Sequence, residues 1–163
     1  VVPAENIVGT REGQGIKQSN EVFGFTRLMV AAFGLGGGLA ALTRAIAYSK
    51  EREQFDRPLS KFQYNQFRIA DMATDVEASR LLLLQAAWEK DQGLRHSKAA
   101  AMAKLFCSEA SHRVCHQALQ IHGGYGYIKE YEVERLYRDQ RITEIYEGTS
   151  EAMRMVISAN LMR

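Results

Sequence analysis

A chain of 163 residues buries roughly 70% of the surface its unfolded form exposes, enough for a core that needs no disulfide staples. It is 46% apolar and 25% charged, and 21 basic against 19 acidic residues leave a net charge of +2, which excludes the basic footprint of a nucleic-acid binder. With 13 Gly against 2 Pro, disorder is disfavoured and long helices are favoured; no apolar run is expected to reach the ~18 residues of a membrane span, and the first residues lack a signal-peptide layout.

In chain order, Val1-Val2-Pro3 and Asn6-Ile7-Val8-Gly9, then Gly13-Gln14-Gly15, read as a short strand and turn. Residues 1–20 are expected to be the end of a preceding β-domain and a linker. Residues 21–163 are expected to be a helical bundle domain. A Gly- and Ala-rich helix is expected over residues 25–53, stopping before Asp56-Arg57-Pro58 because proline lacks an N–H and biases its predecessor away from the helix. Ser60 is the expected cap of a second helix, whose apolar positions Phe62, Ile69, Met72, Val76, Leu83 and Ala87 recur every three or four residues as far as Gln92, with Gly93 placed as its C-terminal stop.

The third helix begins near Ser97 and carries the most regular stripe, through Ala99, Met102, Ala103, Phe106, Cys107, Ala110, Val114, Ala118 and Ile121, until Gly123-Gly124-Tyr125-Gly126 ends it. A short helix over 132–139 and a last one over 149–162, capped by Thr149 or Ser150, complete an all-α, up-down four-helix bundle with a short N-terminal strand remnant. On one helix Cys107 and Cys115 would lie about 12 Å apart, beyond the ~7 Å reach of a disulfide, so both read as free core thiols of a reducing compartment.

Three local patterns bear on chemistry. Glu109-Ala110-Ser111-His112 is a single Glu-x-x-His, with His116 one turn on, but a di-iron bundle needs two such motifs, so no metal site is expected. Gly34, Gly36, Gly37 and Gly38 match neither a dinucleotide fingerprint nor a P-loop and read as close helix packing. Ile145-Tyr146-Glu147-Gly148-Thr149-Ser150-Glu151 places a carboxylate between an aromatic and a glycine just before a helix, the ingredients of a general base; a dipole-complementing Glu would look the same.

Taken together and in order, Arg52-Glu53-Gln54-Phe55-Asp56-Arg57-Pro58-Leu59, Gln120-Ile121-His122-Gly123-Gly124-Tyr125-Gly126, Val133-Glu134-Arg135-Leu136-Tyr137-Arg138-Asp139 and the 145–151 loop resemble the C-terminal helical domain of the acyl-CoA dehydrogenases. The resemblance implies a flavoenzyme that desaturates an acyl-CoA thioester between its α and β carbons. Glu147 would take the α-proton while the β-hydrogen leaves as hydride to FAD. Some branches place the base just before the arginine that matches Arg27; that position is Thr26 here, which leaves Glu147.

By the same resemblance Arg52, Phe55, Gln63, Gln120, Gly123 and Gly124 meet the FAD of a neighbouring subunit, while Thr149 and Glu151 face the subunit's own. Arg27, Tyr146 and Gly148 would line the substrate channel; the Asp common three residues before that arginine is Gly24. Also implied are an acyl-CoA substrate, an electron-transfer flavoprotein as acceptor, a homo-oligomer (dimer or tetramer) built through the helical domain, and residence in a bacterial cytoplasm or a mitochondrial matrix. The family's N-terminal helical and middle β-domains are missing from the chain, so the fragment alone is expected to be inactive. A non-catalytic assembly module of the same fold and an acyl-CoA oxidase-type relative are the alternatives.

Overall fold

The computed structural model describes residues 2–9 and 11–162. Its first helix, α1, spans Gly15–Glu51, and so begins ten residues before the sequence pattern shows it. Most residues of its opening turns face solvent and carry no apolar stripe, yet no proline interrupts them. The expected boundary between residues 20 and 21 therefore falls inside a helix. The expected N-terminal strand is absent among the described residues: Ala4–Asn6 forms a 3-10 turn instead, because no neighbouring segment supplies the ladder a strand requires. Val1, Thr10 and Arg163, which the domain reading includes, lie outside the described residues.

After α1 the chain makes a two-residue antiparallel pair, β1 (Glu53–Gln54) with β2 (Arg57–Pro58), in the register Glu53 to Pro58 and Gln54 to Arg57. The turn between them holds Phe55 and Asp56 at φ 53° and 59°, the left-handed pair a two-residue hairpin loop needs but rarely draws from such residues. Helix α2 then spans Gln63–Asp91. Ser60 is not its cap. The N-cap is Phe62, and Ser60 sits in the preceding 3-10 turn, Leu59–Lys61, where its carbonyl accepts from Gln66. At the other end Gly93 takes φ 68°, its N–H bonds Lys90 O and that of Leu94 bonds Glu89 O, a Schellman stop.

Helix α3 (Ser97–His122) is the central element, packing on α1, α2, α4 (Val133–Gln140) and α5 (Ser150–Leu161). Its stripe is buried from Ala99 to Ile121 except at Met102 and Phe106. The glycines of α1 serve close approach: a Cβ on Gly34 would stand 3.0 Å from the Cys107 carbonyl oxygen, and one on Gly38 3.4 Å from Ser111 Oγ. Gly37 faces the Gln140 amide, whose Oε1 accepts from Ser111 Oγ at 2.9 Å.

One reading of composition is corrected by α1, which is long and apolar enough to cross a membrane. Ala31, Gly34, Gly38, Leu42 and Ala45 of this helix are buried within the bundle, while Met29, Phe33 and Leu39 are exposed.

Candidate active site

Between the 3-10 turn Arg141–Glu144 and α5 the chain turns through Ile145, Tyr146, Glu147 and Gly148. Thr149 caps α5, its hydroxyl accepting from Ala152 N at 3.3 Å. Glu151, in the first turn, has its carboxyl held below the usual carboxylate range by its own backbone N–H and by the Thr149 hydroxyl. It therefore fills the role of complement to the helix start, which frees Glu147 for another.

Glu147 adopts φ 55° and Gly148 φ 99°. A left-handed glutamate is uncommon, and such strain persists only where the surroundings hold it. The half-buried Glu147 carboxylate accepts at Oε2 from the Thr26 hydroxyl of α1 at 2.6 Å, the length of a charge-assisted O–H···O bond. Beside Thr26, Arg27 has its pKa lowered by burial, with Glu147 pulling the other way. Its buried Nε finds no partner among the described residues, and its guanidinium carbon lies 5.6 Å from the centre of the Phe23 ring.

A Cβ on Gly148 would stand 3.9 Å from Arg27 Nη2 and only 2.6 Å from Met153 Cε. Tyr146 is 38% exposed, its hydroxyl pushed up first by burial and then by Glu147. The fold thus brings Glu147, Gly148 and Arg27 together, from opposite ends of the sequence, with Tyr146 next in the chain. A carboxylate with one oxygen occupied by a hydroxyl and the other without a hydrogen bond among the described residues can accept a proton.

The contacts of two further residues of this site escape sequence reading. Thr26 identifies itself only through its contact with a residue 121 positions away. Lys104 is fully buried and donates from Nζ to Gly148 O at 2.6 Å. Its signal was available, as a lysine set among Ala100, Ala103 and Cys107 on the buried side of α3.

At the other end of α1, Arg52, Gly123 and Gly124 line a cavity of about 500 Å³ together with Tyr48, His122 and Tyr125. Gly123 ends α3 at φ 60°. Arg52 makes no ion pair among the described residues; its guanidinium carbon lies 5.5 Å from the Tyr125 ring centre. Phe55 is 85% exposed at the tip of the strained hairpin. Gln63 and Gln120 are exposed and lie outside the lining of that cavity. An unpaired guanidinium beside a glycine turn suits a pyrophosphate, and an exposed aromatic suits a flat ring system.

In the Glu-x-x-His pair Glu109 accepts from Arg154 at 2.7 Å, while the buried Nδ1 of His112 has no hydrogen-bond partner among the described residues, with the Tyr137 ring beside it and Glu144 3.8 Å away. Among the described residues no three metal-binding groups cluster.

A family model described as acyl-CoA dehydrogenase, C-terminal domain, matches residues 13–162. A probable acyl-CoA dehydrogenase of Bacillus subtilis is 48% identical over 99% of the chain, and the caffeyl-CoA reductase-Etf complex subunit CarC of Acetobacterium woodii 47% identical over 99%. The solved butyryl-CoA dehydrogenase of Megasphaera elsdenii superposes with a TM-score of 0.96 at 47% identity, covering 99% of the chain. In each case the chain spans 42% of the relative's own length.

Proposed function

The chain belongs to the acyl-CoA dehydrogenase family, as its C-terminal domain, and from that premise we propose that it supplies the base and part of the flavin site of an enzyme that desaturates acyl-CoA thioesters. The observation that carries this reading is the Glu147 loop, a carboxylate kept in a left-handed backbone and tied to Thr26 at 2.6 Å. Glu147 Oε1 takes the α-proton while Thr26 occupies Oε2. The C–H electron pair moves toward the thioester carbonyl, where the Glu147 backbone N–H stabilises the negative charge. Arg27, half-buried beside the carboxylate, adds positive potential to the same pocket.

The family is flavin-dependent, and FAD, when bound, supplies the acceptor for the β-hydride. Thr149 and Glu151 would meet it beside the base; Arg52, Phe55, Gln63, Gln120, Gly123 and Gly124 would meet that of a second copy. Thr26 and Arg52 are about 39 Å apart along α1, too far for both groups of residues to serve one site. That separation supports a homo-oligomer. Electron-transfer flavoprotein is the proposed acceptor, in line with the name of the Acetobacterium relative. Run in reverse, Glu147 returns the α-proton, the direction that relative's name describes. Two buried free thiols suit a cytoplasm or mitochondrial matrix.

The test is Glu147→Gln in the full-length parent protein. Loss of α-proton exchange from acyl-CoA, with FAD still bound, is the expected result; retained turnover would assign the base elsewhere.

A further inference from the structure

Lys104 is the one buried Lys, Arg, Asp or Glu among the described residues, with 0% exposed. Withdrawing an ammonium from water costs several kcal/mol after relaxation, whereas a methionine of similar length would fill the space without that cost. Its Nζ hydrogen bond goes to a backbone carbonyl, Gly148 O at 2.6 Å, and to no carboxylate. Neither Glu147 nor Gly148 makes a backbone–backbone hydrogen bond among the described residues. Two side-chain ties reach this positive-φ pair: Thr26 on the Glu147 carboxylate and Lys104 on the Gly148 carbonyl.

We infer that Lys104 is the positioning residue of the Glu147 base, clamping the Gly148 carbonyl so that the left-handed backbone aims the carboxylate; this rests on the reading of Glu147 as base. The charged groups around the ammonium are Arg27 on α1, Glu109 on α3 itself, Glu144 in the turn before the loop, and Glu147. Burial, and after it Arg27, bring the Lys104 pKa down to about 8, while the three carboxylates oppose them. Without the clamp the half-buried Gly148 carbonyl loses its hydrogen-bond partner, and the loop can relax out of the strained conformation.

The experiment uses the full-length parent enzyme with Lys104→Met, which keeps length but donates nothing, and Lys104→Gln, which donates without charge; Glu147→Gln is the control. The readouts are α-proton exchange of acyl-CoA in deuterated buffer per bound flavin, kcat, KM and the thermal transition. With Lys104→Met, exchange and kcat are expected to fall about 10- to 100-fold at a KM within about twofold, and Lys104→Gln to recover part of the loss. A residue that serves stability alone would move the thermal transition and leave kcat per flavin unchanged.

Exchange within about twofold of wild type in Lys104→Met, while Glu147→Gln abolishes it, overturns the inference and leaves the base intact. If Glu147→Gln itself exchanges normally, the reading of the base has failed, and the inference falls with it. Should Lys104→Met not fold, Lys104→Gln decides: exchange slowed more than about twofold at unchanged KM supports the clamp, and anything less overturns it.

Discussion

Gly148→Ala isolates what the loop demands of its backbone. Two penalties act together. At φ 99° an added Cβ meets its own backbone, at about 1–2 kcal/mol for an L-residue held in a positive-φ region. The same Cβ lies 2.6 Å from Met153 Cε, well inside van der Waals contact, and Met153 is fully buried, so the thioether must move within a packed site for about 1–3 kcal/mol more. Restricting the unfolded chain returns about 0.4–1 kcal/mol. The net is a destabilisation of about 2–4 kcal/mol.

A double-mutant cycle with Met153→Ala separates the two penalties, since shortening Met153 abolishes the collision and leaves the backbone strain. Urea unfolding of the four proteins should give a coupling energy of about 1–3 kcal/mol, with Gly148→Ala milder in the Met153→Ala background. In the full-length enzyme, a base displaced by about 1 Å should lower kcat about 100-fold. A Gly148→Ala protein as stable as wild type, or a coupling energy near zero, would refute the geometry of the loop on which the assignment of Glu147 stands.

Asp56→Gly should stabilise the chain by about 0.5–1 kcal/mol in thermal unfolding, because φ 59° suits glycine and strains aspartate. Lys104 titrates near pH 8 in the folded chain against 10.5 for a solvated lysine, so the unfolded chain binds more protons between those values and stability should rise with pH across that window, by up to about 3 kcal/mol. The penalty is full below pH 8, fades between pH 8 and 10.5, and is gone above 10.5; subtracting the pH profile of Lys104→Met should remove this slope. Burial pushes the Cys107 thiol up to about 11 and Cys115 up to about 12, so iodoacetamide at neutral pH should label neither until denaturant unfolds the chain.

Helix interiors were legible because a buried stripe repeats every three or four residues, and the stops at Gly93 and Gly123 because a positive φ there selects glycine. Where the pattern was silent, the reading slipped. The first turns of α1 are mostly exposed, so helical backbone there leaves no periodic trace. Ser60 has the chemistry of a cap but sits two residues before the one that the 3-10 turn places at the helix start. The hairpin at Phe55-Asp56 was invisible because its residues are not those a left-handed turn selects. For the site, the 145–151 loop was legible as a motif and Lys104 was marked by its place on the buried side of α3, whereas the contacts that Thr26 and Lys104 make, 121 and 44 residues away, are encoded by no local pattern.

The length of helix α1 bears on the proposed assembly. Its 37 residues run about 55 Å, with Thr26 and Arg27 at the base loop and Arg52 at the far end beside the Gly123 turn. On the proposed function each end would carry groups for a ligand, and neither encloses one. In a symmetric pair, the far end of one copy can complete the base end of the other, and the exchange closes on itself. Glu147→Gln and Arg52→Ala proteins should then each be nearly inactive in full-length form, yet regain activity when unfolded together and reassembled. A mixed pair would have one site with an intact Glu147 and an intact Arg52 from the other copy. Random pairing at equal amounts makes about half the pairs mixed and so restores about a quarter of all sites. Activity no greater than the average of the two parents would mean that base and arginine belong to one copy's site, and would remove the reason for two ends.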